Sequence, residues 1–488
     1  MPVPAAPFPA DRRRRIGLIL GPLVFLLVLV APPPAGVEPG AWQVAALALL
    51  MATWWLTEAL PLAATALLPV VVLPALGTLP ITTIAPAYAN PLVFLFLGGF
   101  LIAATIERWR LHRRIALHTV RALGSRADRI VLGFMLATAF LSMWISNTAT
   151  AMMMVAIGLA VARAGERECP GFSPALMLGI AYGASIGGVA TLIGTPPNAI
   201  LAGIARAELG IEIGFARWML FGLPVAVIML SLAWWLLTRR IFHLQRRPLD
   251  AACNDLRQAL RELGPVSSPE WRVLSVFLAV AAGWLLRGLT PDVLPDFVDD
   301  SVIALGGALL LFVLPAGKAQ PGARLLDWDT ASRIPWDILI LFGGGFALAG
   351  SLYDTGLTAY LASTLEPLAT TNLLLLTGGT ALLVVFLTEM TSNTATASLF
   401  IPVLAALALT AGMHPLLLMV PAAVAASFAF MLPVATPPNA ICFGSRQVSV
   451  MQMARAGLVL NLVGTLVLTL ASYWLLPLVF GLEAVSRH

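Results

Sequence analysis

Apolar runs of about the length that crosses a bilayer, roughly 20 residues, alternate with short polar or arginine-bearing connections along the whole chain. The pattern predicts spans near 16–31, 41–58, 60–77, 91–107, 216–238, 271–289, 301–315, 336–353 and 456–480. Between 108 and 126 the pattern changes. Six arginines are interleaved there with Leu111, Ile115 and Leu123 at helical spacing. That pattern suits a helix lying on a membrane surface, with a solvated linker as the plainer alternative.

Four remaining stretches are apolar but interrupted. The block 130–162 would be about 50 Å long as one helix, too long for a hydrocarbon core of about 30 Å. The chain must turn back, and Ser146-Asn147-Thr148 near the midpoint is where polar residues allow it. Arms of roughly 16 residues are short for full crossings, so the expectation is a re-entrant helical hairpin at about 130–163 with its tip at this triplet. A second such hairpin is predicted at about 373–411. Its triplet, Ser392-Asn393-Thr394, lies 246 positions on (392 − 146) in an identical SNTAT run. The stretches 174–205 and 415–445 are broken by GTPPNAI (Gly194–Ile200) and ATPPNAI (Ala435–Ile441), offset by 241 (436 − 195). Paired glycines also repeat, Gly98-Gly99 before Phe100 and Gly344-Gly345 before Phe346, again 246 apart (344 − 98). Thr57 to Pro61, TEALP, has only a partial partner in Thr388 to Met390 and supports no repeat.

Composition makes the membrane reading firm. The chain is 59% hydrophobic and 11% charged, with a mean hydropathy of +0.91, far too apolar for an ordinary soluble surface. The net charge of +5 sits in a few connections, so there is no basic face for nucleic acid. Cys169, Cys253 and Cys442 are scattered, with neither zinc-ligand spacing nor a disulfide framework. Arg12–Arg15 before the apolar run Ile16–Val30 resembles a signal peptide. No A-x-A site precedes Pro32-Pro33-Pro34, so the run is read as a first transmembrane helix.

Charge also sets the expected topology. With the N-terminal arginines in the cytoplasm, the arginines of 108–126 and 239–272 fall inside, and Asp292, Asp296, Asp299 and Asp300 fall outside, only if 130–162 makes an even number of passes or none. The predicted fold class is therefore an all-α polytopic membrane protein of eleven spans and two hairpins. An N-terminal helix (1–40) precedes two inverted repeats (41–240 and 271–488), each of five transmembrane helices plus one re-entrant hairpin, joined by an amphipathic cytoplasmic connector (241–270). The helices broken at 194–198 and 435–439 complete the two halves. Inverted repeats meeting at broken helices are the signature of secondary transporters.

The breaks carry the candidate chemistry. Ser146 and Ser392 can cap the returning helix, whose free N–H groups and dipole favour an anion. Asn and Thr add donors and oxygens. Pro196-Pro197 and Pro437-Pro438 free carbonyls from the preceding turn. Carbonyl, hydroxyl and amide oxygens are ligands that Na⁺ prefers. No Lys or Arg lies in the four motif runs, so dipoles and bound cations must offset an anion's charge. Glu58 and Glu389, the acids nearest to breaks, are either structural hydrogen-bonding carboxylates or proton relays. No nucleophile–base pair or HExxH suggests an enzyme.

ASFAFMLPVATPPNAI, Ala426 to Ile441, resembles the signature of the divalent anion/sodium symporter family. The family's members carry Krebs-cycle dicarboxylates, citrate or sulfate, and the likeness covers nearly the whole chain. It implies a homodimer in which a transport domain slides against a scaffold domain as an elevator, both domains being discontinuous in sequence. It also implies one Na⁺ site at Ser142, Ser146, Asn147 and Gly194, and a second at Thr388, Thr391, Ser392, Asn393 and Ala435. Substrate carboxylates would contact Asn147, Thr148, Asn393 and Thr394, flanked by Thr195, Thr436 and Pro437. Thr391 stands where the family usually has a small Ala. The expected activity is Na⁺-coupled symport of C4-dicarboxylates (succinate, malate, fumarate). The alternatives are a Na⁺-independent exchanger, a Na⁺-coupled sulfate or citrate symporter, and an anion channel. The expected location is the plasma (inner) membrane, with the N-terminus cytoplasmic and the C-terminus extracellular or periplasmic.

Overall fold

The computed structural model describes residues 9–290, 295, 297–317, 320–369 and 372–482. Asp292 and Asp296 of the acidic connection lie outside them. The described chain is helical, with only isolated bridges at Arg126–Pro248 and Pro315–Arg324.

Helix α1 (Pro9–Val30) comes first, its outer apolar side chains exposed as on a lipid-facing helix. The first half begins with α2 (Pro39–Thr57). The third expected span is interrupted into α3 (Leu62–Thr65) and α4 (Leu68–Ala75), where Pro69 has no N–H to offer the Thr65 carbonyl across the break. After α5 (Ile81–Ile84) come α6 (Pro91–Arg108) and the amphipathic α7 (Leu111–Leu123). The interrupted blocks follow as α8 (Ala127–Ser142), α9 (Asn147–Glu168), α10 (Phe172–Val189) and α11 (Pro196–Leu209). The half closes with α12 (Phe215–Trp235), which runs on into a π-helical stretch, Leu236–Ile241. The connector holds α13 (Asp250–Glu262).

The second half repeats the succession. It runs through α14 (Ser268–Leu289), α15 (Asp300–Val313), α16 (Trp328–Ala331) and α17 (Trp336–Asp354). Helix α18 (Leu357–Ala369) stands where α7 stands in the first half, although it is not basic and sequence reasoning placed no helix there. Then come α19 (Leu373–Thr388), α20 (Asn393–Thr410), α21 (Leu416–Ala425), α22 (Pro437–Gly444) and α23 (Val450–Phe480). The bounds of α8 and α19 are offset by the same 246 residues at both ends (373 − 127 and 388 − 142).

Among the described residues, nine helical segments are long and apolar enough to cross a membrane, and four more are apolar but shorter. Helix α9 is longer than expected of a hairpin arm: its 22 residues span about 33 Å. Its added turns are polar, with Arg163, Glu166, Arg167 and Glu168 near the end. Helix α10 is buried at every position and packs against α8, α9, α12 and α22.

Several contacts between the halves, those among the broken helices and their neighbours, come in reciprocal pairs. Helix α10 touches α22 as α11 touches α21, and α9 touches α22 as α11 touches α20. The matched helices α12 and α23 touch each other. Phe96 and Phe342, 246 positions apart (342 − 96), meet edge to face with ring centroids 4.8 Å apart. Gly98 lets α6 approach α15, where a Cβ would lie 2.6 Å from the Ala304 carbonyl carbon; Gly344 likewise lets α17 approach the Ala66 backbone, at 2.2 Å.

Candidate functional site

Both triplets and both proline breaks face one cavity of about 930 Å³. Every expected site residue lines its wall except Ser142 and Thr388, which lie fully buried behind it. Four helices start at this wall: α9 at Asn147, α11 at Pro196, α20 at Asn393 and α22 at Pro437. Their N-terminal dipole ends favour an anion in the space between them.

Ser142 and Thr388 do the same work in the two halves. Ser142 Oγ lies 2.5 Å from Asn147 Oδ1 and 2.8 Å from the Ala184 carbonyl. Thr388 Oγ1 lies 2.8 Å from Asn393 Oδ1 and 2.9 Å from the Ala426 carbonyl. A hydroxyl has one proton and cannot satisfy two acceptors. Two arrangements resolve the surplus at the first tip. Turned over, the Asn147 amide nitrogen lies within reach of Ser142 Oγ (2.5 Å), the Gly194 carbonyl (3.1 Å) and the Ala184 carbonyl (3.2 Å), so its two protons can serve Ser142 and Gly194 while the Ser142 hydroxyl serves Ala184. Alternatively, a cation among the oxygens replaces the missing protons.

The asparagines of the TPPN runs have a role that sequence reasoning missed. Asn198 Nδ2 donates to the Thr191 carbonyl at 2.8 Å, and Asn439 Nδ2 to the Ala429 and Leu432 carbonyls at 3.0 Å each. Carbonyls left over where the chain unwinds before each TPPN run are thus tied up by the motif itself. Thr436 caps α22, accepting from the Asn439 N–H at 3.3 Å. Thr195 Oγ1 reaches across the halves to Ser427 Oγ at 3.3 Å.

Glu389 and Glu58 separate in the fold. Glu389 is 3% exposed and accepts from the Met431 N–H (2.8 Å), the Leu432 N–H (3.0 Å) and Asn461 Nδ2 (2.7 Å). Asn461 Oδ1 in turn accepts from the Phe430 N–H at 3.3 Å. This carboxylate holds the unwound segment between α21 and α22. Glu58 lies instead in the cavity wall, with Arg13 and Asp337. No signal in the sequence links Arg13 to this wall, because it lies in the first helix, 133 residues before the nearest motif run (146 − 13).

A multi-pass helical membrane protein whose two halves bring four polar breaks to one internal cavity is a membrane transporter, not an enzyme. The chain belongs to the family described as the sodium:sulfate symporter transmembrane region, whose model matches residues 13–481. It is 43% identical over 482 residues to a sodium-dependent dicarboxylate transporter, SdcS, of Staphylococcus saprophyticus, covering 96% of this chain and 93% of that one. It is 42% identical over 486 residues to SdcS of Staphylococcus aureus (strain USA300), covering 97% and 94%. Two solved structures share the fold at low identity. The YdaH transporter of Alcanivorax borkumensis aligns with a TM-score of 0.55 at 16% identity, covering 96% of this chain and 97% of that one. MtrF of Neisseria gonorrhoeae aligns with a TM-score of 0.57 at 13% identity, covering 96% of each.

Proposed function

We propose that this protein is a secondary active transporter that carries C4-dicarboxylates such as succinate, malate and fumarate together with Na⁺. The observation that carries the reading is the convergence of four helix N-termini and two oxygen-rich clusters on one cavity. Dipole ends suit the carboxylates, and the oxygens gathered around Ser142 and Thr388, with a surplus of acceptors at Thr388, suit a cation in each half. Na⁺ is cargo here, held at the first tip by Ser142, Ser146, Asn147 and Gly194, and at the second by Thr388, Thr391, Ser392, Asn393 and Ala435. Asn147, Thr148, Asn393 and Thr394 contact substrate, with Thr195, Thr436 and Pro437 beside it. The SdcS relatives, named for Na⁺-dependent dicarboxylate transport, support both parts.

Reciprocal contacts between matched helices, and the meeting of Phe96 with its own repeat mate, support two halves related by a two-fold axis. An odd number of crossings in the first half places the second upside down, so the repeats are inverted and the hairpins enter from opposite faces. This gives eleven spans and two re-entrant hairpins, with the N-terminus cytoplasmic and the C-terminus outside. Arg13, near the start of α1, lies in the cavity wall, so in this orientation the cavity opens to the cytoplasm. Alternating access then moves the tips and breaks as one body, elevator fashion, against a scaffold that pairs two copies.

Radiolabelled succinate should accumulate in proteoliposomes only under an inward Na⁺ gradient. Undiminished uptake in Na⁺-free buffer would sink the coupling, and uptake that needs preloaded unlabelled substrate would identify an exchanger. A panel adding sulfate and citrate separates the substrate classes.

A further inference from the structure

Arg13 is the one Lys or Arg among the described residues lining the cavity. Its Nη2 lies 3.3 Å from Glu58 Oε1, and its Nη1 donates at 3.4 Å to the carbonyl of Met390, just before the second tip. Both partners of the pair are 44% exposed. Glu58 ends α2 in the left-handed conformation, φ 51°, which a residue with a Cβ rarely adopts. A left-handed position in the cavity wall is thus occupied by a carboxylate rather than by glycine.

We propose that Arg13 is a specificity-determining residue for the transported dianion, with Glu58 as a place-holder that a substrate carboxylate displaces. The inference rests on the proposed transport of dicarboxylates. The motif runs supply helix ends and oxygens but no full positive charge. A dianion entering past Glu58 and Asp337 would meet net negative charge in the wall were Arg13 absent. A guanidinium presents five donors in a planar fork that matches a carboxylate. Exposed ion pairs are weak, so exchanging one carboxylate for another on Arg13 costs little and is readily reversed. Arg13 reaches the tip that holds Asn393 and Thr394 through Met390, so a substrate released by the tip finds the guanidinium next.

Exchange on one cation makes a prediction of opposite sign for the two partners. Removing the cation weakens substrate binding; removing the competing carboxylate strengthens it. A brace between α1, α2 and the second tip would instead be broken equally by either change.

The test uses full-length protein in proteoliposomes, with half-saturating succinate, maximal rate and half-saturating Na⁺ measured for Arg13→Gln, Arg13→Lys, Glu58→Gln and Arg14→Gln. Arg14 does not line the cavity, so its variant controls for the same loss of charge on the same helix. Arg13→Gln should raise half-saturating succinate about fivefold, the size of one exposed ion pair. Half-saturating Na⁺ should stay put. Arg13→Lys should recover part of the loss, Glu58→Gln should lower half-saturating succinate, and Arg14→Gln should match the wild type. Shifts of the same sign in Arg13→Gln and Glu58→Gln, no shift in either, or an equal shift in Arg14→Gln overturn the proposal. If Arg13→Gln fails to fold, Glu58→Gln decides: a lowered value supports the exchange, and a raised or unchanged one overturns it. Wild-type protein that ignores succinate overturns the dicarboxylate reading instead. Arg13 is then tested on whichever dianion of the sulfate and citrate panel protects the wild type from heat.

Discussion

The two tips carry the same SNTAT run and the same hydroxyl–amide–carbonyl cluster, yet their surroundings hold them in place by different means. At the first, the break between α10 and α11 is short, residues 190–195, and close packing pins it. A Cβ on Gly188 would lie 2.5 Å from Asn147 Oδ1 and 2.9 Å from the Gly194 carbonyl oxygen. At the second, the unwound stretch 426–436 is longer, and a buried carboxylate, Glu389, accepts its loose N–H groups. The Met143 carbonyl, from the residue matching Glu389 (389 − 246), merely accepts from Thr191 Oγ1. Matched chemistry at the cavity thus needs no matched scaffolding behind it. A short break can be held by steric fit, whereas a long one must have its backbone donors satisfied.

The two tips are chemically equivalent only if their asparagines are. Asn147→Ala and Asn393→Ala should each reduce succinate transport by at least about a hundredfold, with melting temperature close to wild type. A variant retaining wild-type rates would remove that residue from the site. Next in size are the supports. Gly188→Ala should cut maximal transport by about tenfold by displacing the first tip's amide. Glu389→Gln turns an amide NH₂ towards backbone donors and should destabilise the fold by about 1–3 kcal/mol, read as a lower melting temperature. Were Glu389→Gln to melt like the wild type, the carboxylate would not be what holds the long break. The smallest contrast lies at the caps. The Ser146 hydroxyl accepts from the Ala149 N–H at 3.3 Å, whereas Ser392 makes no side-chain cap bond. Ser146→Ala should therefore lose about 1 kcal/mol of stability and Ser392→Ala close to none, as thermal unfolding of the two proteins will report.

Much of the cavity's polar lining is legible in the sequence. Polar triplets and double prolines are conspicuous in apolar runs, because hydrocarbon tolerates unpaired backbone only where protein or water satisfies it. Repetition at a fixed offset then marked the four breaks as belonging together. The reading stopped where local sequence carries no periodic signal. Composition predicts a continuous third span, which the structure divides into α3 and α4 next to Pro69. Helix α18 went unseen because, unlike α7, it carries no arginines to distinguish a surface helix. The bonds of Asn198 and Asn439 to backbone carbonyls are not legible in the sequence, since those partners become neighbours only once the chain has unwound.

Sequence by itself determined what must be true at each position of this chain: which stretches are apolar enough for lipid, where the backbone must break, and which oxygens and amides stand at the breaks. These follow from composition and spacing, which are local. Tertiary structure decided which breaks share a cavity, which of two glutamates faces it and which is buried behind it, and that an arginine 377 residues from Met390 stands beside the second tip. Those are distances between segments remote in sequence. Only packing sets them, through contacts such as Gly98 on Ala304 and Phe96 on Phe342 that no periodicity encodes.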